Sequence, residues 1–153
     1  MRLLFTRNES TAFQYILNNT ICVATRSSYS HGELLFSDNT CITAFPFRGV
    51  VRRKFDVAVK NVRKNQFAIY NVYVTKAQER VIREFADAQV GKPYDWSALL
   101  ALPFRANWAD TEKWFCFELC AAAFQHAGIS IVDEKPKRVL ATHLIESPLL
   151  VKS

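Results

Sequence analysis

The sequence is poor in the residues that mark disordered or fibrous chains, with only four glycines and five prolines among its 153 residues. Half of the residues are hydrophobic and 22% are charged. These proportions exclude a disordered, collagen-like or low-complexity chain. No run of about 18 apolar residues occurs, which excludes a transmembrane helix. We therefore expect one globular domain over residues 1–153 whose core needs neither disulfides nor metal for stability.

The cysteines lack the spacing of metal-binding or disulfide-rich proteins. None of the four forms a Cys-x-x-Cys pair, and the three histidines stand at no zinc-site spacing from them. We therefore expect no metal and no cofactor. The apolar run near the amino terminus, residues 3–5, is too short for a signal peptide. Reduced thiols and a cytoplasmic location are expected.

Positive charge is concentrated in one segment. The net charge is +6, and between residues 52 and 64 the only acid is Asp56. The cations of this basic segment are Arg52, Arg53, Lys54, Lys60, Arg63 and Lys64. It is either a solvated edge strand or a surface that faces an acidic glycan or a membrane. Nucleic acid is not expected as a partner, because only Phe55 and Phe67 are interleaved as stacking residues.

The first half of the chain has the patterns of β-strands. Short β-favouring runs predict four or five antiparallel strands with short connections. These runs cover residues 21–25, 31–37, 41–47, 55–60 and 68–74.

The second half has the apolar spacing of helices. A helix is predicted to begin at Thr75, where Thr75 and Gln78 form a capping box, and to stop at Gly91 and Pro93. Further helices are predicted over residues 96–102, 114–127 and 140–145. Strands followed by helices indicate an α+β domain, in which an antiparallel sheet packs against helices.

Cys116 is the residue with the clearest chemical potential. It stands at the predicted start of a helix, where the helix dipole and unpaired backbone N–H groups favour a thiolate. The same N–H groups could stabilise an oxyanion on a carbonyl that the sulfur attacks. The alternative is that Cys116 and Cys120 are small core residues on the buried face of that helix.

His31 opens a predicted strand and shares one face of it with Glu33. One interpretation is that both side chains simply face water. The other pairs His31 with Cys116, so that the imidazole takes the thiol proton and later protonates the leaving group. A third polar group must then orient the imidazole; Glu33 and Thr43, on the next strand, are both candidates.

The loop after the first predicted helix, residues 91–96, is a helix stop followed by a new cap at Asp95, or a segment that brings functional side chains to the nucleophile. In the second case the Tyr94 hydroxyl or the Asp95 carboxylate lies beside Cys116.

Taken in order, three short motifs resemble the circularly permuted branch of the NlpC-type papain-like peptidases and amidases, the group that includes lecithin–retinol acyltransferase. The motifs are Ser30-His31-x-Glu33, Gly91-x-Pro93-Tyr94-Asp95-Trp96 and Trp114-x-Cys116-x-Glu118-Leu119. In this branch the histidine strand precedes the cysteine helix, as it does here. The resemblance covers about residues 28–130.

The resemblance implies a permuted papain-like fold with Cys116 as nucleophile and His31 as base. The third position would be Glu33 or a residue of the 41–47 strand, and Tyr94, Asp95 and Trp114 would lie at the substrate site. Two positions depart from the family pattern: Phe117 follows the cysteine where serine is frequent, and Gly32 follows the histidine.

The implied function is a cysteine hydrolase that cleaves an amide bond, with a cell-wall (peptidoglycan) peptide as the expected substrate. An acyltransferase or thioesterase acting on lipids is an alternative, with the basic segment at the membrane. A third possibility is a catalytically silent structural protein or adaptor. Since small members of this family occur in bacterial viruses, incorporation in a virus particle is also an expectation.

Overall fold

A computed structural model describes residues 1–7, 12–97, 112–133 and 139–153. The α+β class is confirmed: an antiparallel sheet, drawn mostly from the first half, packs against helices of the second half. The sheet has six strands in the order β4-β3-β2-β1-β5-β6. The strands are β1 Arg2–Thr6, β2 His31–Leu35, β3 Thr40–Phe45, β4 Gly49–Lys54, β5 Phe67–Val72 and β6 Leu150–Lys152.

The helices are α1 Ala12–Thr25, α2 Phe55–Val59, α3 Lys76–Gln89, α4 Cys116–His126 and α5 Ala141–Ile145, with a short 3₁₀ turn at Lys64–Gln66. The capping box predicted for α3 is present: the Gln78 backbone N–H donates to Thr75 Oγ1 at 3.1 Å, and the Thr75 backbone N–H donates to the side-chain oxygen Oε1 of Gln78 at 2.9 Å. Of the helix predicted over residues 96–102, only residues 96–97 are described and they are helical. The rest of that prediction lies outside the described residues.

Two predicted strands are wrong. Residues 21–25 belong to α1, where Ile21 and Cys22 are buried but Val23 is 78% exposed, as expected for one face of a helix. Residues 55–59 form α2, whose Ala58 packs on Leu4, Leu35 and Cys41. Both segments are rich in β-favouring residues, but each buries one side of a helix in a core, through Ile21 in α1 and Ala58 in α2.

The two faces of the sheet carry separate cores. The larger core lies between the sheet and helices α3 and α4, and alternate residues of β2, such as Leu34, point into it. The smaller core lies on the opposite face under α2 and includes Leu35 and Cys41. Since side chains alternate along a strand, His31 and Glu33 share the face of Leu35, whereas Gly32 faces α4. Among the described residues, no helix is long and apolar enough to cross a membrane.

Candidate active site

Cys116 is the first residue of α4 and is buried, with 1% of its surface exposed. Phe115 precedes it in an extended conformation, and the Phe115 N–H donates to the Glu118 carboxylate at 3.4 Å. Burial raises the pKa of the Cys116 thiol to about 12, while the backbone N–H groups of Gly32, Phe117 and Cys116 itself favour the thiolate. The helix start therefore supplies anion-stabilising donors around a thiol that is neutral at rest.

Gly32 determines how closely α4 approaches the sheet. A Cβ atom at this position would lie 2.9 Å from Cδ1 of the Phe117 ring, so a larger residue would push the helix outwards. The absence of a side chain lets Cys116 reach the backbone of Gly32, the residue next to His31. The departures from the family pattern at Gly32 and Phe117 thus form one packing contact.

His31 is held by contacts from the neighbouring strand. Its Nε2 atom is 3.2 Å from Thr43 Oγ1, and its ring stacks on Phe45 with centroids 4.4 Å apart. Nε2 also lies 3.6 Å from Glu33 Oε1. Burial, and secondly the charge of Arg53, lowers the pKa of His31 to about 3, so the imidazole is neutral at physiological pH.

The hydrogen bonds of Thr43 fix the tautomer of this imidazole. Thr43 is fully buried, and its hydroxyl donates to the Gly32 carbonyl at 2.7 Å. A hydroxyl has one proton, so Thr43 Oγ1 must accept at its other contact. The His31 Nε2 atom therefore carries the proton, and Nδ1 is left with a free lone pair, which is the form a general base needs.

Glu33 forms a buried ion pair with Arg53 of β4. The guanidinium binds both carboxylate oxygens, with Nε 3.1 Å from Oε2 and Nη2 in a short contact to Oε1. Glu33 is fully buried, and burial raises the pKa of its carboxyl while Arg53 opposes that shift. Arg53 also lies over the Phe45 ring, 4.5 Å from its centroid.

The loop predicted to reach the nucleophile does so through Tyr94. This side chain is 4% exposed, and its ring centroid is 6.0 Å from that of Phe115. Burial raises the pKa of the Tyr94 hydroxyl well above its ordinary value, and the neighbouring Cys116, Glu118 and Asp95 add to this rise. Tyr94 is thus close enough to the thiol to interact with it electrostatically.

Asp95 and Trp114 hold this loop in place. The Asp95 N–H donates to the Trp114 carbonyl at 3.0 Å, and the Trp114 N–H donates to the Pro93 carbonyl at 3.1 Å. Both side chains are buried; the Trp114 indole donates to Gln89 Oε1 at 3.1 Å, and the Asp95 carboxylate accepts from the Ser97 hydroxyl. Their contacts are those of a structural support for Tyr94.

The structure places the sequence-derived candidates on two sides of β2. Cys116 and Tyr94 lie in the core on the α4 side, whereas His31 and Glu33 share the face of Leu35 and Cys41. In the described part of the chain, no hydrogen bond joins the Cys116 thiol to the His31 ring. Each is linked to the Gly32 backbone, the thiol through the Gly32 N–H and the ring through Thr43. Sequence reasoning did not place Phe45 of β3 or Arg53 of β4 beside His31, and it named Arg53 only as a cation of the basic segment. Their proximity to His31 follows from strand register, such as the pairing of Cys41 with Arg53, and no local motif indicates it.

The donor set offers no obvious metal centre. Within residues 1–7, 12–97, 112–133 and 139–153, no group of three or more His, Cys, Asp or Glu side chains is arranged to hold a metal ion. Glu33, the acid nearest to His31, is instead bound by Arg53.

The buried imidazole makes stability depend on pH. Because its pKa is about 3 in the folded chain and about 6.5 when unfolded, the unfolded state binds more protons between these values. The free energy of unfolding should therefore fall as the pH drops below 6.5, by at most about 1.4 kcal/mol per pH unit from this group. In His31→Gln, the free energy of unfolding measured by urea denaturation should depend less steeply on pH between pH 4 and 7 than in wild type. Equal slopes for both proteins would contradict the assignment.

Comparison with known proteins defines the fold but not the activity. No family model matches the sequence. No curated protein matches it either. Among solved structures, the chain is similar to the crystal structure of the metalloprotein YiiX from Escherichia coli O157:H7, with a TM-score of 0.70 and 16% sequence identity. The match covers 99% of this chain and 94% of that one, so the two share the whole architecture.

Proposed function

We propose that the protein is a cysteine hydrolase in which Cys116 is the nucleophile, His31 is the general base and Thr43 orients the imidazole. The observation that carries this proposal is the hydrogen bonding of Thr43, which donates to the Gly32 carbonyl and so leaves His31 Nδ1 as the basic atom. Gly32 links the two halves of the site, because its carbonyl holds Thr43 and its N–H faces the Cys116 thiol.

Thr43 fits the orienting role better than Glu33. Its oxygen is 3.2 Å from Nε2, within hydrogen-bond distance, whereas the nearest Glu33 oxygen is 3.6 Å away and is bound by Arg53. The hydrogen-bond partner of Glu33 is therefore Arg53, and the imidazole is only a neighbouring group.

The proposed reaction requires a proton to pass between the Cys116 thiol and the His31 ring, which lie on opposite faces of β2, so we route it through a water molecule at the end of the strand. Through this water, Nδ1 of His31 takes the Cys116 proton as the sulfur attacks the carbonyl carbon, and a tetrahedral intermediate forms. The Cys116 backbone N–H at the start of α4 stabilises the oxyanion of this intermediate. The imidazolium then protonates the departing amine, leaving a thioester. Water, deprotonated by the same imidazole, hydrolyses the thioester to an acid and restores the thiol. Every step uses residues of the chain and water.

The substrate we propose is an amide in a small peptide, with a cell-wall (peptidoglycan) peptide as the first candidate. This choice rests on the resemblance of the ordered motifs around His31, Tyr94 and Cys116 to the permuted papain-like amidases. Tyr94 is the residue we assign to the mouth of the site, with Asp95 and Trp114 supporting it. The similar structure, YiiX, is described as a metalloprotein, but the described donor set here does not fit a metal ion.

An acyltransferase or thioesterase acting on lipids is the second candidate, favoured by the basic segment. Arg52 pairs with Asp87 and Arg53 with Glu33, but the other cations are exposed. These are Lys54, Lys60, Arg63 and Lys64. Salt-sensitive sedimentation with anionic vesicles would support this candidate, since screening weakens a surface charge interaction. No sedimentation at low salt would favour the soluble peptide substrate.

A matched pair of cysteine variants tests the proposed chemistry. Cys116→Ala should abolish the turnover of an activated ester such as p-nitrophenyl acetate, because the nucleophile is lost. Cys120→Ala, one turn further along the same buried helix face, should retain turnover. Circular dichroism would verify that both variants fold. Equal turnover by wild type and a folded Cys116→Ala would contradict the proposal and favour a catalytically silent structural protein or virion component.

A further inference from the structure

We propose that Arg53 keeps His31 in its neutral, proton-accepting form by binding the Glu33 carboxylate, which would otherwise pair with the imidazole. This inference rests on the proposed role of His31 as a base. It assigns to Arg53, a residue outside the three motifs, the role of a positioning residue that sets the basicity of the site.

Without a partner of its own, the Glu33 carboxylate would favour the protonated form of His31. Its Oε1 atom is 3.6 Å from His31 Nε2, and both side chains are largely withdrawn from water. A carboxylate at this distance favours the imidazolium, because opposite charges attract strongly where water is excluded. An imidazolium has no lone pair and cannot take the proton of Cys116.

Arg53 occupies the same carboxylate oxygen that faces His31. Its Nη2 atom binds Glu33 Oε1, and its Nε atom binds Oε2 at 3.1 Å, so the two side chains form a bidentate pair. The guanidinium is always charged and neutralises the carboxylate within the pair. The Phe45 ring of β3 contacts both the Arg53 guanidinium of β4 and the His31 imidazole of β2, and so connects side chains of the three strands.

The other groups around His31 are neutral. From β3, Thr43 and Phe45 contact the ring, and from β1, Thr6 is the register partner of His31. From α4, the Cys116 thiol lies at the Gly32 backbone. Among the described residues, Arg53 is the charge that acts on the imidazole, and the Glu33 carboxylate that it binds is the nearest charge that would oppose it once released.

The experiment is an NMR titration of the histidine rings in the substrate-free protein, with His31→Gln used to assign the His31 signal. Arg53→Met should raise the titration midpoint of His31 by about one to three pH units, since Glu33 is then free to pair with it. Arg53→Met combined with Glu33→Gln should reverse most of this rise. Arg52→Met is the matched control, because Arg52 is on the same strand but pairs with Asp87 at 2.6 Å, and it should leave the midpoint unchanged.

Arg53→Met leaves a buried carboxylate without its partner and could unfold the protein. In that case Arg53→Lys decides, because lysine keeps the charge but loses the two-bond fork, and the His31 midpoint should rise by a smaller amount. A folded Arg53→Met or Arg53→Lys protein in which His31 titrates as in wild type would overturn the proposal. So would a rise that persists when Glu33→Gln is added.

The titration also separates this inference from the proposed function. It needs no substrate, so a shifted midpoint supports the role of Arg53 even if ester turnover is absent. Where turnover is present, the acidic limb of its pH–rate profile should shift to higher pH together with the His31 midpoint in Arg53→Met. The same limb should stay in place in Arg52→Met. A loss of turnover without any change in that limb would assign Arg53 a purely structural role.

Discussion

His31→Gln is expected to lower the rate of acyl transfer to Cys116 by about 10²–10⁴-fold, the usual contribution of a general base. The effect should be this large because burial raises the pKa of the Cys116 thiol to about 12, so almost no thiolate exists at neutral pH without a base. Glutamine approximates the size of the imidazole and retains a donor for Thr43 Oγ1, which limits structural damage.

The control for this variant is His126→Gln. His126 lies at the exposed end of α4, with its ring 4.8 Å from that of Phe85, and has no part in the proposed reaction. Stopped-flow release of p-nitrophenol would measure both variants. A folded His31→Gln protein that reacts as fast as His126→Gln would remove His31 from the mechanism.

Gly49→Ala is expected to have the largest effect on stability. Gly49 has φ of +67°, and a Cβ there would lie 2.2 Å from the backbone oxygen of Lys92. No side-chain rotation relieves a clash with backbone. The left-handed conformation costs about 1–2 kcal/mol for alanine, and overpacking adds about 1–3 kcal/mol. We therefore expect the free energy of unfolding to fall by about 2–5 kcal/mol.

Gly128→Ala provides the matched control. Gly128 also has a positive φ, +74°, but a Cβ there would meet no atom within 4 Å. Its cost should be the conformational part alone, about 1–2 kcal/mol. Urea denaturation of both variants measures the difference. Equal decreases in the free energy of unfolding for the two variants would show that the clash with the Lys92 backbone oxygen does not affect stability.

The Gly49 contact also matters for the site. The Val50 N–H donates to the Lys92 carbonyl at 2.8 Å, and the Gly91 N–H donates to the Val50 carbonyl at 2.9 Å. These bonds tie the loop that carries Tyr94 to β4. A Gly49→Ala protein that still folds should therefore shift Tyr94 relative to Cys116.

Features with a local signal were predictable from the sequence. The capping box at Thr75, the stop at Gly91 and the start of α4 near Cys116 each depend on a few neighbouring residues, and the structure has all three. The class of fold followed from the order of strand-like and helix-like patterns. The early position of His31 in a strand was predictable for the same reason.

Features that depend on packing were not predictable. The apolar run at residues 21–25 has strand composition but forms the end of α1, and the alternating residues 55–59 form α2 against the smaller core. The strands β1 and β6 were not predicted, although β1 lies at the centre of the sheet between β2 and β5. Edge strand β4 was predicted only in part, through the edge-strand interpretation of the basic segment that begins at Arg52. Each of these outcomes depends on which partner a segment meets in space.

The choice of orienting residue shows the same limit within the site. Sequence spacing made Glu33 the nearest candidate, two residues from His31, and left Thr43 on the next strand as an open alternative. What separates them is Arg53, which reaches Glu33 only because β4 pairs with β3 in this register. A single sequence does not contain that register in any local pattern.

The most direct test of the central claim is to locate the acyl group that remains on the protein after brief exposure to p-nitrophenyl acetate and acid quenching. Peptide mass spectrometry should find the acetyl group on Cys116 as a thioester in wild type, and much less of it in His31→Gln at the same time point. Acetylation spread over surface lysines, with Cys116 unmodified, would contradict the assignment of Cys116 as the nucleophile.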